Sequence, residues 1–260
     1  MKLCRFQVTG SNEQKVCTGV LDGNTVHEVS SEWPIAGSRT GRQWALDQVH
    51  LVTPVAPSKI VCVGRNYKMH VAEMGKTLPT DPLIFFKPLS SLIAPGETIE
   101  LPPDLGRIDY EGELGVVIGR RCSQLGPDED VAPYLLGFTC VNDVSARELQ
   151  KKDGLFARAK GFDTFCPLGP VIETELDWKQ ARVQTRLNGE LKQNGAVSDM
   201  IFPVDMLVRF ISQVMTLLPG DVIATGTPEG VSPLKAGDVV EVSIEGIGKL
   251  RNPVAARGAR

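Results

Sequence analysis

The sequence predicts an α+β protein that is mainly β. Short apolar runs at 83–86, 113–118, 135–141, 183–187, 221–225 and 238–244 are separated by Gly and Pro, the punctuation of short strands. Only one segment sustains a long helical period. No GxGxxG follows a strand and no phosphate-loop lysine motif occurs, so a Rossmann arrangement is disfavoured.

Taken in order, residues 3–8, 15–21 and 25–29 read as short strands, with Leu21-Asp22-Gly23-Asn24 as the turn between the last two. Thr53-Pro54-Val55-Ala56-Pro57-Ser58 reads as a linker, because its prolines oppose both helix and central strand. This places a small β-rich N-terminal domain at 1–56 and a larger domain at 57–260. His27 and His50 stand in the small domain among apolar neighbours without nearby carboxylate clusters, which suits structural roles. Ile60-Val61-Cys62-Val63-Gly64 opens the larger domain as a buried strand, and 68–74 and 142–152 are short helix candidates. Asn188-Gly189 is a hairpin turn and Asn194-Gly195 a second local turn. Val204, Leu207, Val208, Ile211, Val214, Met215 and Leu218 follow a 3.6-residue period, with Pro203 near the first turn and Pro219-Gly220 as the stop. That face is core.

Size and composition narrow the function classes. A chain of 260 residues needs no external staple. Its 31 acids and 28 bases are interspersed, so neither a nucleic-acid stripe nor a polybasic membrane patch is present. The six cysteines form no CxxC pair, which opposes a zinc ribbon, and most have apolar neighbours, as buried thiols do. The first residues lack a signal-peptide core and no run reaches transmembrane length, so the cytoplasm is the expected location. A small-molecule enzyme or a neutral binding protein remains.

The chemistry concentrates in Asp109-Tyr110-Glu111-Gly112-Glu113-Leu114. On a strand, period-two alternation puts Asp109, Glu111 and Glu113 on one face. Carboxylates two residues apart repel by about 2–3 kcal/mol at an effective dielectric near 20. A solvated edge strand tolerates that. A strand entering the core, as the apolar run Leu114–Ile118 suggests, needs protons, bases or a hard cation. Asn142-Asp143 ends the apolar run 135–141 and adds a further carboxylate at a strand end. An all-oxygen set favours Mg²⁺ or Mn²⁺ over zinc. A second constellation is His70 with Glu73, three apart on a short helix, where the carboxylate can fix the imidazole tautomer. An exposed His–Glu pair of no consequence would look the same.

Five stretches together resemble the fumarylacetoacetate hydrolase family: Gly64–Glu73, Asp109–Gly115, Gly137–Arg147, Lys160-Gly161-Phe162-Asp163 and Gly226-Thr227-Pro228-Glu229-Gly230-Val231. They keep the family's order and span roughly residues 58–253. The resemblance implies a catalytic domain of rolled, mixed β-sheets, a homodimer, and bound Mg²⁺, Mn²⁺ or Ca²⁺. By the same resemblance Glu111, Glu113 and Asp143 match the metal ligands, while Asp109 matches none. His70 and Glu73 match a water-activating pair on a lid, and Lys160 an active-site lysine. Arg147, Gln150 and Thr227 match substrate contacts, with Arg65 and Tyr67 as further candidates in the lid motif. The implied substrate is a small 2-oxo acid, with Arg147 able to pair with a second substrate carboxylate. The intact His70/Glu73 pair favours hydrolysis of a C–C bond in an acylpyruvate. Decarboxylation or isomerisation of 2-oxo or 2-hydroxy-dienoic dicarboxylic acids, and a metal-stabilised binding protein, are the alternatives.

Overall fold

The computed structural model describes residues 1–10, 15–30 and 37–258. Five strands come first: β1 (Lys2–Val8), β2 (Cys17–Asp22), β3 (Thr25–Ser30), β4 (Ser38–Ala45) and β5 (Val49–Val52). Next are β6 (Ile60–Gly64), α1 (Lys68–Glu73), β7 (Leu83–Lys87), β8 (Leu92–Ile93), β9 (Ile99–Leu101), β10 (Ile108–Asp109) and β11 (Gly112–Ile118). The middle of the chain forms β12 (Leu135–Asn142), β13 (Ser145–Ala146), α2 (Arg147–Asp153), α3 (Ala157–Lys160) and β14 (Cys166–Glu173). Then follow β15 (Arg182–Leu187), β16 (Glu190–Ala196), α4 (Val204–Val214), β17 (Val222–Ala224), β18 (Val239–Ile244) and β19 (Gly248–Ala256). The protein is mostly β, as its punctuation predicts.

The large sheet runs β4-β3-β2-β1-β14-β12-β11-β17-β6-β7, and a five-stranded sheet runs β16-β15-β18-β19-β9. Pairing is mixed: β6 lies parallel to β17, whereas β11 is antiparallel to both β12 and β17. The N-terminal strands are not a separate sheet. Leu3 of β1 pairs with Ile172 of β14, so they extend the large sheet edge to edge.

β11 is buried at every position, because both its faces are covered. Leu114, Val116 and Ile118 pack against Val183, Val242 and Ile244 of the second sheet and Leu207 and Ile211 of α4. Val117, on the opposite face, meets Cys62, Cys166 and Val222. Each such aliphatic side chain contributes about 1.5–3 kcal/mol when removed from water. Glu113 shares the Val117 face by alternation, so the core that anchors β11 also fixes where this carboxylate emerges.

Asn188-Gly189 joins β15 to β16 with φ of 52° and 87°, the left-handed pair of a type I′ hairpin. Two local expectations are corrected. Asn194-Gly195 is no turn but part of β16, where Gly195 lets Pro228 approach; a Cβ there would sit 2.3 Å from the proline Cβ. The long helix stops at Val214, before Pro219-Gly220, because Leu217 pairs with Cys122 as an extended bridge. No helix among the described residues is long and apolar enough to cross a membrane.

Candidate active site

The end of β11 and the end of β12 lie side by side, with Gly112 opposite Asn142. Glu111 occupies the break between β10 and β11, where its backbone oxygen accepts from the Asp143 amide at 2.9 Å and its amide donates to Asn142 Oδ1 at 3.0 Å. These bonds turn Glu111, Glu113 and Asp143 toward one point: each offers a carboxylate oxygen within 4.8 Å of the others, and all three are buried. Gly112 makes the approach possible, since a Cβ there would fall 2.1 Å from Thr185 Oγ1.

Bases hold two of the three acids. Lys160, on α3, donates to Glu111 Oε2 at 2.7 Å and to Asp143 Oδ2. Arg147, at the start of α2, brings Nη2 to 2.7 Å from Glu111 Oε1. Burial alone would push the Glu111 carboxyl up, but Lys160 and Arg147 outweigh it and hold it well below the usual carboxylate range. Burial would likewise push the Lys160 ammonium down, and Asp143 with Glu111 reverses this and raises it. Glu113 makes no ion pair among the described residues; its Oε2 accepts only the Gly226 amide, at 2.8 Å. Burial, then Asp143 and Glu111, push its carboxyl well above the ordinary value. A buried acid without a base, beside two more acids, is a donor set of hard oxygens suited to a hard dication. The residues present therefore fit Mg²⁺ or Mn²⁺.

Glu111 and Glu113 form part of the floor of a cavity of about 940 Å³, which His70, Glu73, Arg65, Arg147, Gln150, Lys160 and Thr227 also line, with Asp143 buried beside them. His70 Nδ1 lies 3.1 Å from Glu73 Oε2, and Glu73 in turn accepts the Gly230 amide at 3.2 Å, tying α1 to the loop after β17. That loop presents its Gly226 and Gly230 amides to the protein's own Glu113 and Glu73. Thr227 Oγ1 donates to the Gly112 oxygen at 2.9 Å and accepts from Gln193 Nε2 at 2.8 Å, so it braces the strand break.

One expected substrate contact is not at the cavity. Tyr67 is 1% exposed and packs into the main core, with its ring beside Gly195, because the bridge from Tyr67 to Met200 turns it inward. Asp109 does not join the acidic triad: it accepts from Arg107 Nε and Arg147 Nε, both at 2.7 Å. Lys87 escaped sequence reasoning altogether. It follows the apolar run 83–86 and closes β7, and its fully buried ammonium donates to Asp143 Oδ1 at 2.7 Å. A lysine closing a run of Leu, Ile and Phe was the available signal.

Comparison with known proteins agrees with this architecture. The model described as "Fumarylacetoacetate (FAA) hydrolase C-terminal" matches residues 59–255, and "Rv2993c-like, N-terminal" matches residues 1–54. The structure of 2-hydroxyhepta-2,4-diene-1,7-dioate isomerase from Mycobacterium marinum is 42% identical, covers 100% of both chains and superposes with a TM-score of 0.90. Oxaloacetate tautomerase YisK of Bacillus subtilis is 39% identical over 81% of this chain and 75% of its own. Maleylpyruvate hydrolase from Sphingobium sp. SYK-6, solved with manganese and pyruvate, is 28% identical over 99% of this chain and 100% of its own, with a TM-score of 0.82. With a family model spanning most of the sequence and this degree of identity over whole chains, the protein belongs to the fumarylacetoacetate hydrolase family.

Proposed function

We propose that this protein is a dication-dependent enzyme that moves a proton at the carbon next to the keto group of a small 2-oxo acid. The observation carrying this reading is the convergence of Glu111, Glu113 and Asp143 on one point, where Glu111 and Glu113 line a cavity that His70 also lines. A dication held by these three residues would grip the carboxylate and keto oxygens of the substrate and stabilise negative charge developing on the keto oxygen.

The chain's own residues supply the rest. Glu73 fixes the His70 ring through Nδ1, which leaves Nε2 as the atom that takes the proton. The Lys160 ammonium sits by the same carboxylates and adds positive charge on the side where oxyanion character grows. Arg147, Gln150 and Thr227 line the same cavity, limiting how the acid can lie.

When His70 takes the proton from substrate carbon, the outcome is keto–enol tautomerisation or isomerisation. One fixed base beside one buried ammonium suffices for that, and the tautomerase and isomerase among the relatives, at 39% and 42% identity, support it as the first reading. When His70 takes the proton from water, the same arrangement cleaves an acylpyruvate; the maleylpyruvate hydrolase supports this second reading.

Proton NMR of oxaloacetate in D₂O tests the first, and pyruvate release from a panel of acylpyruvates the second. Mg²⁺- or Mn²⁺-dependent acceleration of exchange at C3 is expected. Equal activity after exhaustive EDTA treatment would remove the dication from the reaction.

A further inference from the structure

The cavity sorts its charges by depth. Glu111, Glu113, Lys160 and Arg147 are buried, whereas the exposed or half-exposed wall carries Arg65, Lys76, Arg107 and Lys151 against the carboxylate of Glu73. The floor needs only a carboxylate and a neighbouring keto oxygen, so it leaves these rim cations unexplained. Cations gathered at the mouth of a cleft attract an anion, here one whose other end reaches the floor.

Among them Arg107 is set apart by its anchoring. Its Nε donates to Asp109 Oδ1 at 2.7 Å, and Asp109 is itself immobilised, with Oδ2 taken by Arg147 Nε at 2.7 Å and no solvent exposure. The guanidinium is pinned at its root, and its two terminal amino groups have no acceptor among the described residues. Half of the side chain is exposed to the cavity and solvent. A planar fork held at one edge presents parallel N–H donors to a carboxylate, which a mobile lysine does not. Arg65 lines the same cavity from a φ of 60°, a conformation uncommon for a side chain and worth a functional explanation where it occurs.

We propose that Arg107, oriented by Asp109 and assisted by Arg65, reads a second carboxylate at the far end of the substrate. The ligand class is then a 2-oxo dicarboxylic acid rather than a 2-oxo monocarboxylic acid. This rests on the dication-and-keto-acid reading of the floor and adds the specificity of the mouth. Asp109 becomes a positioning residue.

Calorimetric titration at saturating Mg²⁺ tests it with unreactive pairs of two lengths: 2-oxoglutarate against 2-oxopentanoate, and 2-oxoadipate against 2-oxohexanoate. Wild type should bind the dicarboxylate of the better-fitting pair about tenfold or more tightly than its partner, the size of a charge-assisted bidentate contact. Arg107→Ala should weaken that dicarboxylate about tenfold and the monocarboxylate less than about twofold, and Arg107→Lys should restore part of the preference. Absence of any Mg²⁺-dependent binding overturns the reading of the floor. Mg²⁺-dependent binding without a dicarboxylate preference, or a preference that survives Arg107→Ala, overturns the assignment of Arg107 alone.

Discussion

Lys87 and Asp143 form a salt bridge of 2.7 Å in which neither side chain is more than 1% exposed. Lys87 takes Oδ1 and Lys160 takes Oδ2, so the aspartate is held from both sides while retaining lone pairs for a further partner. Removing one member of a buried pair costs about 3–5 kcal/mol, because the remaining buried charge loses a compensating partner. Lys87→Met should therefore lower the melting temperature of the metal-free protein by roughly 6–20 °C, at about 2–4 °C per kcal/mol. Thermal unfolding followed by circular dichroism reads this directly. A variant melting with wild type would show that the pair contributes nothing.

Glu113 stands in the opposite situation. Its carboxyl is raised by burial and by Asp143 and Glu111, so the folded, metal-free protein binds this proton more tightly than the unfolded chain does. Such a group destabilises the fold as pH rises above the unfolded carboxyl value near 4.3, and costs nothing well below it. Glu113→Gln should then raise the melting temperature of the metal-free protein at pH 7 by a few degrees, a gain that vanishes near pH 4. The same variant should lose the stabilisation that Mg²⁺ or Mn²⁺ gives wild type. Melting curves across pH, with and without metal, check both halves; a variant still stabilised by the dication would sink the ligand assignment.

How much of this was legible beforehand depends on the range of the interaction. Period-two alternation in 109–118 and the apolar run before Asp143 pointed to carboxylates at strand ends, and the two ends do meet. Alternation could not show that the strand breaks between β10 and β11, which sends Asp109 to the arginines and Glu111 to the triad. Lys87 and Gln193 reach the site from 56 and 81 residues away in sequence, respectively, and no local period encodes such pairings. Tyr67 misled because its neighbours His70 and Arg65 do face the cavity, while the bridge to Met200 turns the tyrosine into the core.

His70 and Glu73 separate chemistry from metal holding. Neither belongs to the triad, and α1 carries them on a segment fastened to the rest through the Gly230 amide. His70→Ala should reduce turnover about 10²–10⁴-fold, the ordinary contribution of a general base. Its Mn²⁺ affinity, measured by calorimetry, should stay within about twofold of wild type. Glu73→Gln keeps the ring in place less firmly and should lose less activity. If His70→Ala retains full proton exchange at C3 of oxaloacetate, the base lies elsewhere.

The cysteines give a test of the fold itself. All six are free, and only Cys17 is not buried. Burial pushes the thiols of Cys4, Cys140 and Cys166 up to about 12, and raises that of Cys62 well above the ordinary thiol value. Since the thiolate is the reactive form, these four are silent at pH 8 both by access and by ionisation. Cys122 is buried as well and its thiol is raised by the same cause, burial. Burial and then Glu28 raise the Cys17 thiol too, but it alone is not buried, so an aromatic disulfide reagent at pH 8 should release about one equivalent of chromophore first from the native protein and all six only in denaturant. Chelation of the dication should speed the slow phase if metal stabilises the native state, because those thiols become reachable only through unfolding. Rapid release of several equivalents from the native chain would mean that the sheet around β12 and β14 is not closed as described.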